Sequence, residues 1–331
     1  MKAWKRILCA ALCLCVLLGT LTACGNSGET SAPSETSGKP QIVVTIFPLY
    51  DWTRQILGVF NADVDITLLL NSGADMHSYQ PTVDDIIRIS NADLFVYVGG
   101  ESDEWVEDAL KEASNPDMRT LNLMEILGDA VREETLLPGM QADEEEADGA
   151  DEPEYDEHIW LSLSNAFTCC QAIAETLEAM DIITRHESDL DEYLAELQYL
   201  DARYRETIEA APLKTVLFAD RFPFRYLADD YGLEVYAAFE GCSAETEASF
   251  ETIAFLSEKL DELALPAVLT TENSDGKIAE TIIRTSGRTD AAILSMDSMQ
   301  SVTASGELAP KTEYVSVMEE NLSVLRQALG A

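Results

Sequence analysis

Short runs of β-branched and aliphatic residues alternate with helical patterns along this chain, and the alternation occurs twice. Predicted strands occupy residues 41–47, 64–70, 94–99 and 119–124 in the first half, and residues 214–219, 233–239, 267–272 and 291–296 in the second. Strands that alternate with helices favour parallel sheets built from βαβ units. The sequence therefore predicts an α/β protein with two similar lobes, each holding a four-stranded parallel sheet flanked by helices.

Two helical segments, residues 166–180 and 188–210, separate the halves. The second places leucines at three- and four-residue spacings, which is typical of an amphipathic helix, and at 1.5 Å per residue it would be about 35 Å long. We expect this long, rigid helix to join the two lobes.

A chain of 331 residues favours two domains of ordinary size. We predict an N-terminal lobe over residues 41–164, which includes an acidic loop at residues 141–157, a helical connector region over residues 165–211, and a C-terminal lobe over residues 212–331.

The first residues have the pattern of a targeting segment, because three basic side chains precede an apolar run and small residues. Residues 21–24, Leu-Thr-Ala-Cys, resemble a bacterial lipobox, so we expect a signal peptide over residues 1–23 and a lipid on Cys24. A plain secretory signal is the alternative. Residues 24–40 are rich in Gly, Ser, Thr and Pro, which predicts a flexible tether. We expect an extracytoplasmic body that reaches the membrane only through its lipid anchor.

The 61 acidic and 21 basic residues give a formal charge of −40. Such a charge repels nucleic acid and anionic lipid and attracts cations, so we expect no nucleic-acid partner. The cysteines do not indicate a fold or function class. The spacing of Cys169, Cys170 and Cys242 in the body matches neither a zinc finger nor a disulfide scaffold. We expect the adjacent pair, Cys169 and Cys170, to be packed in a helix.

Several polar residues follow predicted strands, where parallel sheets gather ligands. They are His77, His158, Asp220, Arg221, Glu240 and Asp297. The third histidine of the chain, His186, lies among acidic neighbours and is expected to be a solvated surface residue. A single histidine is usually satisfied by hydrogen bonds, but two imidazoles and a carboxylate from separate loops suit zinc, or manganese when more oxygen ligands join.

Residues 73–86 and 156–166 resemble the two histidine motifs of the zinc and manganese substrate-binding lipoproteins of ABC importers. This resemblance implies two α/β lobes joined by a rigid helix, with one metal ion in the cleft bound by two residues from each lobe. It also implies that His77 and His158 are ligands from the first lobe and that Asp297 is a ligand from the second.

One position departs from that family's pattern, since its third ligand falls on Arg221 or, with one gap, on Ala219, whose side chain has no donor atom. A guanidinium stays protonated and has no lone pair for a metal. Asp220, Glu240, Cys242 or water are the candidates for the open position. Alternatively, Arg221 pairs with Asp297 or Glu240 and the site binds metal weakly or not at all.

The resemblance implies a binding protein rather than an enzyme. We expect a monomer that holds a divalent ion, Zn²⁺ more than Mn²⁺, and delivers it to an ABC permease and its ATPase. One rival is a protein of this architecture that binds an organic ligand or metal chelate through Arg221 and Arg225. The other is a secreted metallohydrolase, although the chain has no HExxH motif.

The acidic loop generates the first prediction. Either it gathers dications for the imidazoles, or it only solubilises the protein. If it gathers them, deletion of residues 143–154 slows metal association at low ionic strength and leaves the equilibrium affinity nearly intact, as measured by stopped-flow mixing. An unchanged association rate would remove the gathering role.

Overall fold

The computed structural model describes residues 38–71, 73, 75–141, 154–185, 188–243, 247–302 and 312–331. The predicted signal peptide with Cys24, almost all of the tether, His186 and residues 142–153 of the acidic loop lie outside these ranges. Pro40–Ala331 form one compact unit. Among the described residues, no helix has the length and apolar character needed to cross a membrane.

The first sheet contains four parallel strands in the order β2-β1-β3-β4. They are β1 (Gln41–Val44), β2 (Asp65–Leu68), β3 (Leu94–Tyr97) and β4 (Arg119–Asn122). The accompanying helices are α1 (Phe47–Leu57), α2 (Val83–Ser90), α3 (Trp105–Lys111) and α4 (Leu123–Leu127). Leu123 and Met124 were expected to end the fourth strand, but they begin α4, because the Asn122 side chain accepts the backbone N–H of Glu125 and caps a helix there.

The second sheet repeats this topology with the order β6-β5-β7-β8. Its strands are β5 (Thr215–Arg221), β6 (Glu234–Phe239), β7 (Ala267–Thr271) and β8 (Ala292–Met296). The helices of this half are α7 (Arg225–Tyr231), α8 (Phe250–Glu262), α9 (Lys277–Thr285) and α10 (Tyr314–Ala328). The predicted fold class, two lobes with four-stranded parallel sheets flanked by helices, is confirmed.

Between the sheets lie α5 (Leu163–Ala179) and α6 (Leu190–Ala210). The Ser162 hydroxyl accepts the backbone N–H of Asn165 and caps the start of α5. Cys169 and Cys170 are buried within α5, as expected. The 21 residues of α6 give it a length of about 31 Å, and it packs against α1, α5 and α10. The long joining helix is confirmed, whereas the boundaries assigned to the lobes stay predictions.

The two sheets share one apolar core. Because side chains alternate across a strand, Val216 and Phe218 of β5 point into a cluster that also holds the first sheet, α5, α6 and α10. Leu217 and Ala219, on the opposite face, belong to a smaller cluster with α8 and α9. Loops at the carboxyl ends of both sheets are therefore attached to a continuous packed interior.

Two buried carboxyl groups in the first half make the stability of the fold depend on pH. Burial raises the pKa of Asp51 to about 6, even though its side chain accepts the backbone N–H of Tyr314 at 2.9 Å. Burial also raises the pKa of Asp103 to about 7. A carboxyl whose pKa is higher in the folded than in the unfolded state binds more protons when folded. Its contribution to stability is present at low pH and is lost as the pH rises toward the folded-state pKa.

We therefore expect the free energy of unfolding of the metal-free protein to fall by roughly 2–4 kcal/mol between pH 5 and pH 7.5, since one pKa unit corresponds to about 1.4 kcal/mol. Asp51→Asn keeps an acceptor for Tyr314 and should reduce this pH dependence, while Asp117→Asn, at an exposed position, should leave it unchanged. Urea unfolding at the two pH values measures the effect. A stability that rises over this window would contradict the prediction.

Candidate metal centre

The structure brings His77 and His158 together, although they are 81 positions apart. Their Nε2 atoms are 3.2 Å from each other. His77 lies in a short 3-10 turn, Met76–Ser78, and His158 comes directly before another, Ile159–Leu161. His158 is completely buried and His77 is partly exposed. Two imidazoles from separate loops thus face a common point that is still reachable from outside.

The second nitrogen of each ring has a partner of its own. His158 Nδ1 lies 2.9 Å from Asp156 Oδ1. An ionised carboxylate only accepts hydrogen bonds, so Nδ1 carries the proton and Nε2 keeps a lone pair. His77 Nδ1 lies 2.9 Å from Ser102 Oγ and 3.4 Å from Glu157 Oε2. Oxygen partners at both Nδ1 atoms orient the rings and direct both Nε2 atoms toward one point, where the Gln300 amide also contacts His158 Nε2.

Both histidine turns are built by an aspartate two positions earlier. Asp75 Oδ1 accepts the backbone N–H of His77 at 3.1 Å, and Asp156 Oδ1 accepts that of His158 at 2.8 Å. These aspartates were not among the predicted site residues. The pattern Asp-x-His occurs at both positions in the sequence. It is a local signal of a turn in which the aspartate side chain accepts a hydrogen bond from the backbone N–H two residues later.

A third group of metal-ligating type comes from the second lobe. Ligand atoms of His77, His158 and Cys242 all lie within 4.8 Å of one another, and in the part of the chain that the structure describes no other set of three His, Cys or acidic residues does so. Cys242 follows β6 and Gly241. A Cβ atom on Gly241 would lie 3.0 Å from His158 Cε1 and 3.0 Å from the Phe222 carbonyl oxygen, so a larger residue would crowd the His158 ring.

Carboxyl groups surround this cluster on its buried side. Burial opposes ionisation of Glu157, but the neighbouring His77 and Ser102 lower its pKa below the ordinary value. Burial, together with the negative charge of Asp156, raises the pKa of Glu134 to about 7. Burial also raises the pKa of the Cys242 thiol, and the carboxylates of Glu134, Asp156 and Glu157 add to that effect. The resulting negative potential favours a cation.

Three carboxylates predicted as ligands make other contacts. Asp297 Oδ1 accepts the backbone N–H of Met299 at 2.7 Å, and burial with the adjacent Glu272 raises its pKa to about 6. Asp220 accepts hydrogen bonds from Thr271 and thus joins β5 to β7. Glu240 is buried and lines a separate cavity of about 110 Å³. None of the three is brought into the group with the histidines, so their roles as ligands stay predictions.

Pairing of Arg221 with Asp297 or Glu240 was considered only as an alternative, and the structure pairs it with Asp75 instead. Its Nη2 lies 2.7 Å from Asp75 Oδ2. Burial raises the pKa of Asp75, but the charges of Arg221 and His77 outweigh it and hold that pKa below its ordinary value. Arg221 thus links the end of β5 to the turn that carries His77. The Gln300 amide, from the loop after β8, contacts His158 Nε2.

Comparison with known proteins shows one matching family and several similar proteins. The family described as zinc-uptake complex component A, periplasmic, matches residues 42–328. The zinc-binding lipoprotein AdcA of Streptococcus pneumoniae serotype 4 is 30% identical over 329 residues, which is 98% of this chain and 61% of that protein. The high-affinity zinc uptake system protein ZnuA of Bacillus subtilis is 28% identical over 99% of this chain and 98% of its own length.

A solved structure agrees with these matches. The Zn(II)-bound ZnuA-like domain of Streptococcus pneumoniae AdcA superposes with a TM-score of 0.68 at 28% identity, covering 89% of this chain and 100% of that domain. The chain spans about three fifths of the length of the AdcA relative.

Gly241 provides a test of the site geometry. We expect Gly241→Ala to weaken Zn²⁺ binding by roughly tenfold or more, because the added methyl group pushes the His158 ring away from its Asp156 partner. Gly38→Ala is the control, since a Cβ at Gly38 has no neighbour within 4 Å. Competition with a chromophoric zinc chelator measures both variants. An unchanged affinity for Gly241→Ala would contradict the described approach of this loop to His158.

Proposed function

The chain belongs to the family of periplasmic zinc-uptake complex component A proteins, and on that premise we propose that it is the zinc-binding component of an ABC importer. The observation that carries the proposal is the 3.2 Å approach of the Nε2 atoms of His77 and His158, with both Nδ1 atoms held by oxygen partners. Imidazole nitrogens with this second contact are the usual ligands of zinc.

Such a protein binds and releases its metal ion and makes or breaks no covalent bond. His77 and His158 hold Zn²⁺ at the seam between the lobes, and Asp156 and Ser102 keep the imidazoles in the ligating orientation. The relatives named above are described as zinc-binding or zinc-uptake proteins, which favours zinc over manganese. The importer supplies the remaining partners, a membrane permease and its ATPase.

The proposed location is outside the cytoplasm, with the body held near the permease by a lipid on Cys24. The Leu-Thr-Ala-Cys sequence at residues 21–24 supports this location, and so does the description of AdcA as a lipoprotein. We propose that the protein acts as a monomer, since both histidines come from one chain.

The structure gives less support to the rival functions. An organic ligand or chelate bound through Arg221 and Arg225 would need both guanidinium groups in one pocket. Arg221 pairs with Asp75 beside a cavity of about 50 Å³, whereas Arg225 lines the separate cavity near Glu240. A metallohydrolase would need an open metal position next to a general base. The family match points instead to transport.

Isothermal titration of the purified protein with Zn²⁺ tests the proposal. We expect one ion per chain for the wild type and a loss of affinity of at least roughly 100-fold for His77→Ala, because one imidazole ligand is removed. His186→Ala is the matched control and should bind like the wild type. The proposal fails if the wild type binds no stoichiometric zinc, or if His77→Ala binds as tightly as the wild type.

A further inference from the structure

We propose that Cys242 binds the ion as a thiolate, in the position that Arg221 leaves without a ligand, and that this sulfur makes the site select Zn²⁺ over Mn²⁺. This inference rests on the proposed function, because it names the third ligand of the same site. It concerns a residue of the second lobe, whereas His77 and His158 both belong to the first.

The spacing of the three residues suits one tetrahedral ion. Zinc bonds of about 2.0–2.3 Å to nitrogen and sulfur place neighbouring ligand atoms about 3.3–3.8 Å apart. The Nε2 atoms are 3.2 Å apart, and the whole group, including the thiol, lies within 4.8 Å. Movement of the Cys242 side chain toward the two imidazoles completes a three-ligand shell.

The residues that compete with Cys242 for this role are held elsewhere. Arg221 has no lone pair and is paired with Asp75. Asp220 is bonded to Thr271 on the neighbouring strand, and Glu240 lines the cavity beside Glu134. The loop after β6 therefore offers sulfur, and not carboxylate, to the two imidazoles.

Burial and nearby carboxylates raise the pKa of the Cys242 thiol, but a coordinated dication deprotonates a thiol outright and overcomes this effect. The backbone N–H of Glu157 acts in the opposite direction and lowers the pKa of this thiol, and second contacts of this kind orient a ligand and stabilise its charge. Gly241 lets the loop lie against the His158 ring. Cys242 is partly exposed, whereas Cys169 and Cys170 are fully buried in α5 and neither belongs to the group formed with His77 and His158.

A sulfur ligand would make the site select Zn²⁺ over Mn²⁺. Thiolate ligands favour Zn²⁺, while Mn²⁺ prefers carboxylate, carbonyl and water oxygen. A site of two imidazoles and one thiolate thus discriminates by ligand type, where an aspartate or glutamate in the same place would favour Mn²⁺. The negative charge of the thiolate also offsets part of the charge of the dication inside a partly buried cleft.

Cobalt substitution tests the proposal directly, because Co²⁺ bound to thiolate shows an intense charge-transfer band in the near ultraviolet that Co²⁺ bound only to nitrogen and oxygen lacks. We expect this band in the full-length wild type and in Cys169→Ala, and we expect its loss in Cys242→Ser. Cys242→Ser should also weaken Zn²⁺ binding by at least roughly 10–100-fold. Cys242→His should restore tight Zn²⁺ binding without the band, and Cys242→Asp should raise the affinity for Mn²⁺ relative to Zn²⁺.

The outcomes separate this proposal from the one on which it rests. If wild-type protein binds Co²⁺ through His77 but shows no charge-transfer band, or if Cys242→Ser keeps both the band and the wild-type affinity for Zn²⁺, the thiolate ligand is ruled out and zinc binding stands. If wild-type protein binds neither Co²⁺ nor Zn²⁺, both proposals fail together.

Discussion

The apolar core shared by the two lobes is the constraint on which the rest of the structure depends. Tyr314 at the start of α10 packs edge-on against Trp52 of α1, and its hydroxyl donates to the Trp160 carbonyl at 2.6 Å. Trp160 in turn donates from Nε1 to the Ser298 carbonyl at 2.8 Å. These contacts are fully buried and join the first lobe to the loop after β8. Since a close-packed interior resists deformation, loops from both sheets keep a defined separation at the cleft.

The geometry of the candidate metal centre depends on this fixed separation between the loops of the two sheets. Asp156 orients His158, and Asp75 orients His77 while it also pairs with Arg221 across the cleft. Arg221 therefore contributes a link between the lobes at a position where relatives are expected to supply a ligand. The candidate cation site groups two imidazoles from one lobe with Cys242 from the other.

How much of this could be predicted depends on the range of the interactions. Short runs such as β1 and β5 and the leucine spacing of α6 carry their own periodicity, so their elements were predicted within a few residues. His77 and His158 were predicted as partners from their motifs. The partner of Arg221 was not, because ion pairs between segments 146 positions apart depend on loop geometry. Asp75 and Asp156 were missed, although the pattern Asp-x-His was present.

The sequence by itself determined the parallel α/β class, the two-lobed plan, the joining helix and the choice of the two histidines, because hydrophobic periodicity and short motifs act over a few residues. The tertiary structure decided which second-lobe group meets those histidines. Asp220 lies at the end of β5, while Glu240, Cys242 and Asp297 follow β6 and β8, and linear order does not rank the four residues. Only the packing of Gly241 against the His158 ring brings the thiol, rather than a carboxylate, to the imidazoles.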